Sequence, residues 1–304
     1  MPLLVLVGLW LAGRAACLFS ADPWLAMAVD LAFPATLGFA IWREVVAGRN
    51  WKNAPVAVMI TLLGFANAFD HLGHMGILHH DLGQKLAIAV AAMLIALIGG
   101  RIVPSFTRNW LVKEGSSSLP APSGGIDKAA LALTAAALIG WIVLPGNALA
   151  GTVLLGAGAM LAVRLARWRG EATVREPILL ILHVGYGWLA LAFSLLGLSA
   201  LAPETVPHAA ALHALTAGAV GTMTLAVMTR ASLGHTGRQI DADRYVVAMY
   251  VMVSAGAVLR VAAPFAGDWN VHVLGGGGGL WSGAFLLFAL RYAPVLFSRR
   301  AGAG

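Results

Sequence analysis

Residues 177–200 read PILLILHVGYGWLALAFSLLGLSA, a run without a single Asp, Glu, Lys or Arg. An α-helix of about 20 apolar residues is long enough to cross the hydrocarbon core of a bilayer. The apolar residues are continuous rather than alternating, whereas the strands of a membrane β-barrel are shorter and alternate. The run therefore predicts a membrane-spanning helix.

The whole chain has the composition of a membrane protein. Of its 304 residues, 60% are hydrophobic and only 11% are charged, whereas soluble domains carry about 25% charged residues. Because backbone polar groups must be paired inside lipid, a chain of this kind folds as helices. We therefore expect an all-α fold, a polytopic transmembrane helical bundle in the lipid bilayer, forming a single integral membrane domain over residues 1–304.

Ten apolar segments are separated by turn residues or short polar stretches. With ends uncertain by about 2–4 residues, they cover 3–20, 24–43, 54–78, 84–104, 128–145, 147–166, 177–200, 207–230, 243–263 and 270–297. A longer stretch rich in Gly, Ser and Pro, at 114–126, is typical of a flexible linker. It separates predicted helices within 3–113 from those within 127–298.

Basic residues are distributed unevenly around the ten segments. The net charge is +7, and clusters of Arg and Lys follow the second, fourth, sixth, eighth and tenth segments; the cluster after the sixth includes Arg164. Only Arg14, Lys85 and Arg260 lie elsewhere. The positive-inside rule then places both termini in the cytoplasm. Since topology accounts for the basic charge, we expect no nucleic-acid partner.

Histidines gather at the predicted outer ends of the third, eighth and tenth segments. Ionisable groups at membrane depth are costly and mark functional sites, and imidazoles suit haem iron or copper. The single cysteine, Cys17, excludes an internal disulfide and covalent haem attachment through a Cys-x-x-Cys-His motif. The histidines proposed as haem or copper ligands are His71, His74, His183, His208, His213 and His272.

The strongest local pattern is Asp70-His71-Leu-Gly-His74-Met75. Residues three apart share a helix face, so His71 and His74 can reach one metal ion. Met75 adds a thioether of the kind that binds Cu(I), and Asp70 is a candidate to support the histidines. The alternative is a helix end whose polar residues meet interfacial water.

Glycines and other small residues follow two of the candidate histidines. They come after His213 at 217–221 and after His183 at 185–187. Such surfaces allow a flat macrocycle, or simply another helix, to approach closely. The run Gly275–Gly279 predicts an unwound stretch, as in the broken helices of transporters, or a surface pressed against a flat partner.

One cation, Arg260, lies near the histidines at the predicted outer face. Guanidinium groups bind carboxylates in a bidentate manner. Arg260 is therefore expected to pair with Asp70, Asp268 or a haem propionate, or else to extend to the interface.

Two long motifs resemble the signatures of the NnrS family. They are HALTAGAVGTMTLAVMTRASLGHTGR at 213–238 and GGRIVPSFTRNW at 99–110, and LWLAGR at 9–14 resembles the opening of one of its helices. The resemblance implies a multi-pass protein of the bacterial cytoplasmic (inner) membrane that binds copper and a non-covalent, b-type haem. It also implies a role in nitric oxide response and nitrosative stress, often alongside denitrification.

The family pattern implies two further features. Members typically carry twelve helices, so this chain is expected to lack the first two, together with a Trp-His-x-His-Glu-Met-like motif. The basic, hydroxyl-rich ends of the two signatures would lie on the cytoplasmic side, where they could bind an anion or haem propionates. The residues proposed for this role are Arg101, Arg230, His235 and Arg238.

The leading hypothesis is a haem- and copper-binding membrane protein that handles nitric oxide or iron–nitrosyl species. Whether it is an enzyme stays open, because turnover would need electrons from a quinol or a cytochrome. The alternative is a secondary transporter or permease without a metal cofactor, which the glycine run and intramembrane Asp and His residues favour. A third alternative is a signalling or assembly factor. Walker-type, H-E-x-x-H and Gly-x-Ser-x-Gly motifs are absent from the sequence, so a soluble-type ATPase or hydrolase is not supported.

Overall fold

A computed structural model describes residues 3–300, and within this range every regular element is helical. The α-helices are α1 (Leu3–Phe19), α2 (Pro23–Ala47), α3 (Ala54–His74), α4 (Leu82–Leu94), α5 (Gly100–Lys113), α6 (Gly125–Val143), α7 (Ala148–Ala166), α8 (Pro177–Leu201), α9 (His208–His213), α10 (Thr222–His235), α11 (Arg244–Ala262) and α12 (Asn270–Phe297). The predicted all-α, polytopic fold is confirmed.

Two π-helical segments join helices into longer continuous spans. Ile95–Gly99 links α4 to α5, and Ala214–Gly221 links α9 to α10. In the described part of the chain, nine helical spans are long and apolar enough to cross a membrane, and the shorter apolar helix Leu3–Phe19 is the tenth segment. The ten predicted segments thus correspond to the observed spans, although the fourth and eighth continue further, to Lys113 and His235.

Side-chain caps explain where several helices begin. Asp22 accepts hydrogen bonds from the backbone N–H groups of Trp24 and Leu25 at the start of α2. Asn147 does the same for the first turn of α7, and Asp243 for that of α11. These short polar side chains satisfy N–H groups that have no partner inside the helix.

The contacts divide the chain into two compact units, the first ending at Leu94 and the second beginning at Ile95. In the first unit, α1 packs on α2, α2 on α3, and α3 on α4. Its buried apolar positions are mostly small, such as Ala57 and Ala66, while large side chains such as Phe39 and Phe65 are exposed. Small residues at the contacts let helices approach closely in a membrane, and the exposed aromatic rings suit lipid.

The second unit is built around α8, which contacts α7, α10 and the π-helical segment Ala214–Gly221. Its side chains fill the core, and Leu182, Tyr186, Leu189 and Phe193 are fully buried. α11 and α12 pack against each other through glycines. The prediction of one integral membrane domain stays a prediction.

The glycine run does not interrupt its helix. Gly275–Gly279 lies within the continuous helix α12, so the expected unwound stretch is wrong. Gly277 packs against α11, where a Cβ atom would lie 3.0 Å from the carbonyl oxygen of Gly256. Gly275, Gly276 and Gly279 face open space. Close helix packing at one glycine explains why this surface is bare.

The linker between α5 and α6 is held by specific contacts in its second half. The backbone N–H of Ala121 donates to the carbonyl oxygen of Arg167, and the Arg167 guanidinium donates to the carbonyl oxygen of Pro122. Gly124 N–H donates to the carboxylate of Asp127. The predicted boundaries are therefore correct, and residues 121–124 have a defined path across the end of α7.

Candidate functional site

A buried carboxylate lies at the centre of the first unit. Asp30 of α2 is only 4% exposed and pairs with the guanidinium of Arg14. Asn67 donates its amide N–H to Asp30 at 2.9 Å, and the Nε2 atom of His71 lies 3.2 Å from the same carboxylate. The predicted Arg14–Asp30 pair and the predicted cross-helix hydrogen bond of Asn67 are both confirmed.

Glycine at position 13 permits this close approach. A Cβ atom at Gly13 would overlap the Asp30 carboxylate and lie 3.0 Å from its Cα. Gly13 is also the buried residue of α1. The bare backbone of α1 therefore brings that helix close to Asp30, and the next turn of α1 carries Cys17 to the same place.

Cys17 joins Asp30 and His71 in a group with three different metal-ligating atoms. The Cys17 sulfur, a carboxylate oxygen of Asp30 and a ring nitrogen of His71 all lie within 4.8 Å of one another. Sequence analysis treated Cys17 only as evidence against a disulfide. Its spacing of three residues from Arg14, which places both on one face of α1, was the signal that links it to Asp30.

A cavity of about 700 Å³ opens beside this group. Four predicted site residues line it together with Cys17: Asp70, His71, His74 and Met75. The Nδ1 atom of His74 is bonded to the backbone oxygen of Asp70 at 2.8 Å, which leaves its Nε2 for a ligand. The local pattern at the end of α3 thus forms one wall of a cavity whose other wall carries a thiol.

His79 and His80 lie in the exposed turn before α4, where they form a second group of potential ligands with Asp81. Lys85 binds Asp81 at 2.6 Å, and this contact, with a weaker one from His79, lowers the pKa of the Asp81 carboxyl. The interpretation that these histidines meet interfacial water agrees with the exposure of both residues.

His183 is buried in α8, and its Nε2 atom is already bonded. Thr107 donates its hydroxyl to the carbonyl oxygen of Val103, so Nε2–H of His183 donates to the Thr107 oxygen at 2.9 Å. The Nδ1 atom is buried without a hydrogen-bond partner and faces Gly170, where a Cβ atom would lie 2.7 Å away. His183 therefore fastens α8 to α5.

The glycine surfaces near the candidate histidines are covered by side chains of the protein. Cβ atoms at Gly218 and Gly221 would collide with the rings of Trp188 and Trp281, respectively. Gly185 lies against the backbone of Met223. Of the two alternatives left open by the sequence, the structure has close helix packing at these positions.

The other histidines of the second unit have separate surroundings. His213 ends α9 and lies near enough to Arg260 for their charges to interact, His208 is 6.5 Å from the ring of Trp141, and His272 is exposed beside Trp269. In residues 3–300, Arg260 forms no ion pair with Asp268. The expected pairing with that carboxylate is therefore wrong.

Arg230 and His235 of the second family-like motif share an apolar cavity of about 490 Å³. Aliphatic residues of α5, α8 and α10 form most of its walls, and the guanidinium of Arg230 lies 4.0 Å from the centre of the Phe106 ring. Arg238 is turned elsewhere, where it donates to the hydroxyl of Ser298 at 2.6 Å. Arg101 lines a different cavity, of about 520 Å³, between α5, α6 and the linker.

The second unit also contains a buried ion pair that the sequence did not reveal. Arg164 is 3% exposed and donates to Asp127 at 2.8 Å, to the carbonyl oxygen of Ala96 at 2.7 Å and to the hydroxyl of Tyr186 at 2.8 Å. Placing Arg164 in a basic loop was wrong, because it lies inside α7. The cluster after the sixth segment therefore carries one topology signal fewer.

Helical spans rich in apolar residues, with polar clusters and cavities among them, define a multi-pass helical membrane protein. The chain belongs to the NnrS family, since the family model described as NnrS protein matches residues 1–300. The resemblance seen in the two motifs is thereby confirmed. No curated protein and no solved structure matches the chain.

Proposed function

We propose that this chain is a haem- and copper-binding protein that acts in the nitric oxide response and in protection from nitrosative stress. The observation that supports it most is the cavity of the first unit, where Cys17, His71, His74 and Met75 converge. One thiol, two imidazoles and one thioether around a single space are the donors that copper prefers. Lining a cavity with donors is more than interfacial solvation of a helix end requires.

Copper fits this donor set because soft sulfur ligands select Cu(I) and imidazole serves both oxidation states. Cys17 and His71 would hold the ion, with His74 or Met75 completing the coordination. Asp30 would orient His71 through its hydrogen bond, as carboxylates do for metal-binding histidines. When bound, copper would supply a one-electron centre with affinity for nitric oxide.

Haem fits best in the apolar cavity of the second unit. Haem is held by an axial imidazole in a largely apolar pocket, and His235 offers an imidazole there while Arg230 offers a guanidinium for a propionate. His183 suits this role less well, since its Nε2 is bonded to Thr107. His213 remains a second candidate, without a described cavity around it.

The membrane setting suits an apolar gas, since nitric oxide partitions into lipid and reaches intramembrane sites laterally. We place the protein in the bacterial cytoplasmic membrane. A quinol or a cytochrome would have to supply electrons if the chain turns over nitric oxide.

The copper part is tested by metal analysis and Cu(I) competition on the full chain purified in detergent. We expect Cys17→Ser and His71→Ala to lower copper affinity by more than tenfold. Asp30→Asn, which removes only the supporting carboxylate, should lower it by about 10- to 100-fold. His79→Ala is the matched control, because this histidine lies in an exposed turn, and should leave the affinity unchanged.

The haem part is tested by optical spectra of the oxidised and reduced chain with added nitric oxide. We expect a Soret band that shifts with nitric oxide and weakens in His235→Ala but not in His272→Ala. A colourless, copper-free chain would overturn the proposal. Substrate-dependent flux by that same preparation would support a secondary transporter instead.

A further inference from the structure

We propose that the second unit binds a phosphate group in the cavity of about 520 Å³ between α5, α6 and the linker. This basic cavity is defined by four cationic residues that line it, Arg101, Arg108, Lys128 and Arg164. It shares no residue with the copper or haem cavities, and the inference does not depend on the proposed function.

The sequence of α5 builds one wall. Arg101, Ser105 and Arg108 are spaced by four and three residues, so they share one face of the helix, and all three line the cavity. Two guanidinium groups flank one hydroxyl along this face. Guanidinium forks and hydroxyl groups are the donors that recognise phosphate oxygens.

The linker and α6 build the opposite wall. Ser123 and Lys128 line the cavity from this side, and the contact between Ala121 and Arg167 fixes the path of the linker. A flexible segment would not hold a hydroxyl in place, whereas this half of the linker is tied to α7. The cavity is therefore a built feature of the fold.

The charge balance in the cavity is strongly positive. Asp127 is the acidic residue among those lining it, and its carboxylate is already bound by Arg164 at 2.8 Å and by Arg167 at 3.5 Å. Within residues 3–300, Arg108 and Lys128 form no ion pair. A cavity with cations to spare and a neutralised carboxylate attracts an anion.

The depth of the cavity suits a phosphate at the membrane surface. The span Leu82–Lys113 has 32 residues, which is about 48 Å of helix at 1.5 Å per residue. The hydrocarbon core is only about 30 Å thick. The last turns of α5, including Arg108, therefore extend into the headgroup layer or beyond it.

A general preference for basic residues at one membrane face does not account for this arrangement, since it requires only that they lie on that side. Here residues from α5, α6 and α7 converge on one space. The phosphate could belong to an acidic phospholipid or to a soluble phosphate, and both present the same oxygens.

The test uses the full chain, purified in detergent and stripped of lipid. One arm measures binding of phosphatidylglycerol, against phosphatidylcholine, by native mass spectrometry. The other measures the shift in thermal midpoint with inorganic phosphate. Arg108→Gln and Lys128→Gln should each weaken binding by about fivefold, and the double variant by about 25-fold. Both side chains belong to exposed residues, so folding should be unaffected.

Arg175→Gln is the matched control, because Arg175 is exposed near the start of α8 and does not line the cavity. Selective loss of phosphatidylglycerol in the cavity variants identifies a lipid site, and selective loss of the phosphate-induced shift identifies a soluble ligand. The same loss in Arg175→Gln, or no binding in either arm, would overturn the proposal. Cavity variants that bind as tightly as the parent chain would also overturn it.

Discussion

Asp30 and Asp127 are two buried carboxylates in two different units, and each is held by an arginine. Their partners differ. Asp30 binds an arginine whose side chain is 50% exposed, together with Asn67 and His71. Asp127 binds an arginine whose side chain is 3% exposed. The first arrangement leaves a histidine and a cavity beside the acid, whereas the second closes on itself.

The difference separates a candidate site from a structural clamp. Arg164 donates to three elements of the second unit, so its charge is satisfied by the protein alone. In the first unit, His71 and Cys17 still have the capacity to bind a metal ion. A buried charge in a membrane protein is therefore informative mainly through what its partners leave unsatisfied.

The largest expected effect comes from removing one half of the closed pair. Asp127→Asn leaves Arg164 buried without its counter-charge, and the loss of a partner from a buried pair costs about 3–5 kcal/mol. Asp30→Asn should cost clearly less, because the half-exposed Arg14 can extend to the interface. Thermal unfolding in detergent measures both variants.

A double variant decides whether the pair acts as proposed. Asp127→Leu combined with Arg164→Met should recover much of the lost stability, since replacing both charges removes the desolvation cost. Additive losses in the double-mutant cycle would contradict the clamp interpretation.

A pair of glycine substitutions should produce an intermediate effect. Alanine at Gly100 would place its Cβ against the guanidinium of Arg164, and alanine at Gly13 would place it against Asp30. We expect Gly100→Ala to destabilise the protein by about 1–3 kcal/mol, as overpacking does. Gly13→Ala should instead lower copper affinity more than stability. Gly275→Ala faces open space and serves as the control, with stability unchanged or slightly raised. Equal effects at all three positions would argue against the comparison.

The smallest effect concerns a carboxylate outside the spans. Burial opposes ionisation of Asp243, but the N–H of Val246 and the guanidinium of Arg291 outweigh it, so the pKa of Asp243 is lowered. A lowered folded-state pKa means that the stabilisation is present above the unfolded value of about 3.9 and is lost as pH falls through the folded value.

Asp243→Asn keeps a capping side chain at α11 but removes the ion pair with Arg291 at 2.8 Å. The variant should lose less than about 1 kcal/mol near pH 7, as exposed ion pairs do. It should also lose less stability than the parent chain below pH 4, which thermal scans at several pH values can measure. An unchanged acid profile would show that the pair contributes nothing.

Much of the fold follows from the sequence because apolar length alone determines which segments can span a bilayer. The continuation of α5 past Pro104 was missed, since charged residues there lower the hydropathy without ending the helix. The Asp127–Arg164 pair was missed for a similar reason: Arg164 lies one turn from the end of its helix, where composition does not distinguish a buried cation from a loop residue.

The candidate metal cavity was half predicted. His71, His74 and Met75 follow from spacing on one helix, because such contacts are local. Cys17 comes from another helix, and its place depends on how Gly13 brings α1 against α2. Contacts of that kind depend on packing, which no single segment encodes.

The π-helical segment Ala214–Gly221 sets an angular relation within one continuous span. Each i→i+5 turn holds one residue more than an α-turn, and such bulges are frequent at functional sites. Because an α-helix turns by about 100° per residue, deleting one residue here would restore α-helical phase by rotating His213 about a quarter-turn relative to Arg230. The segment therefore acts as an inserted spacer that fixes which neighbours each of these two side chains faces.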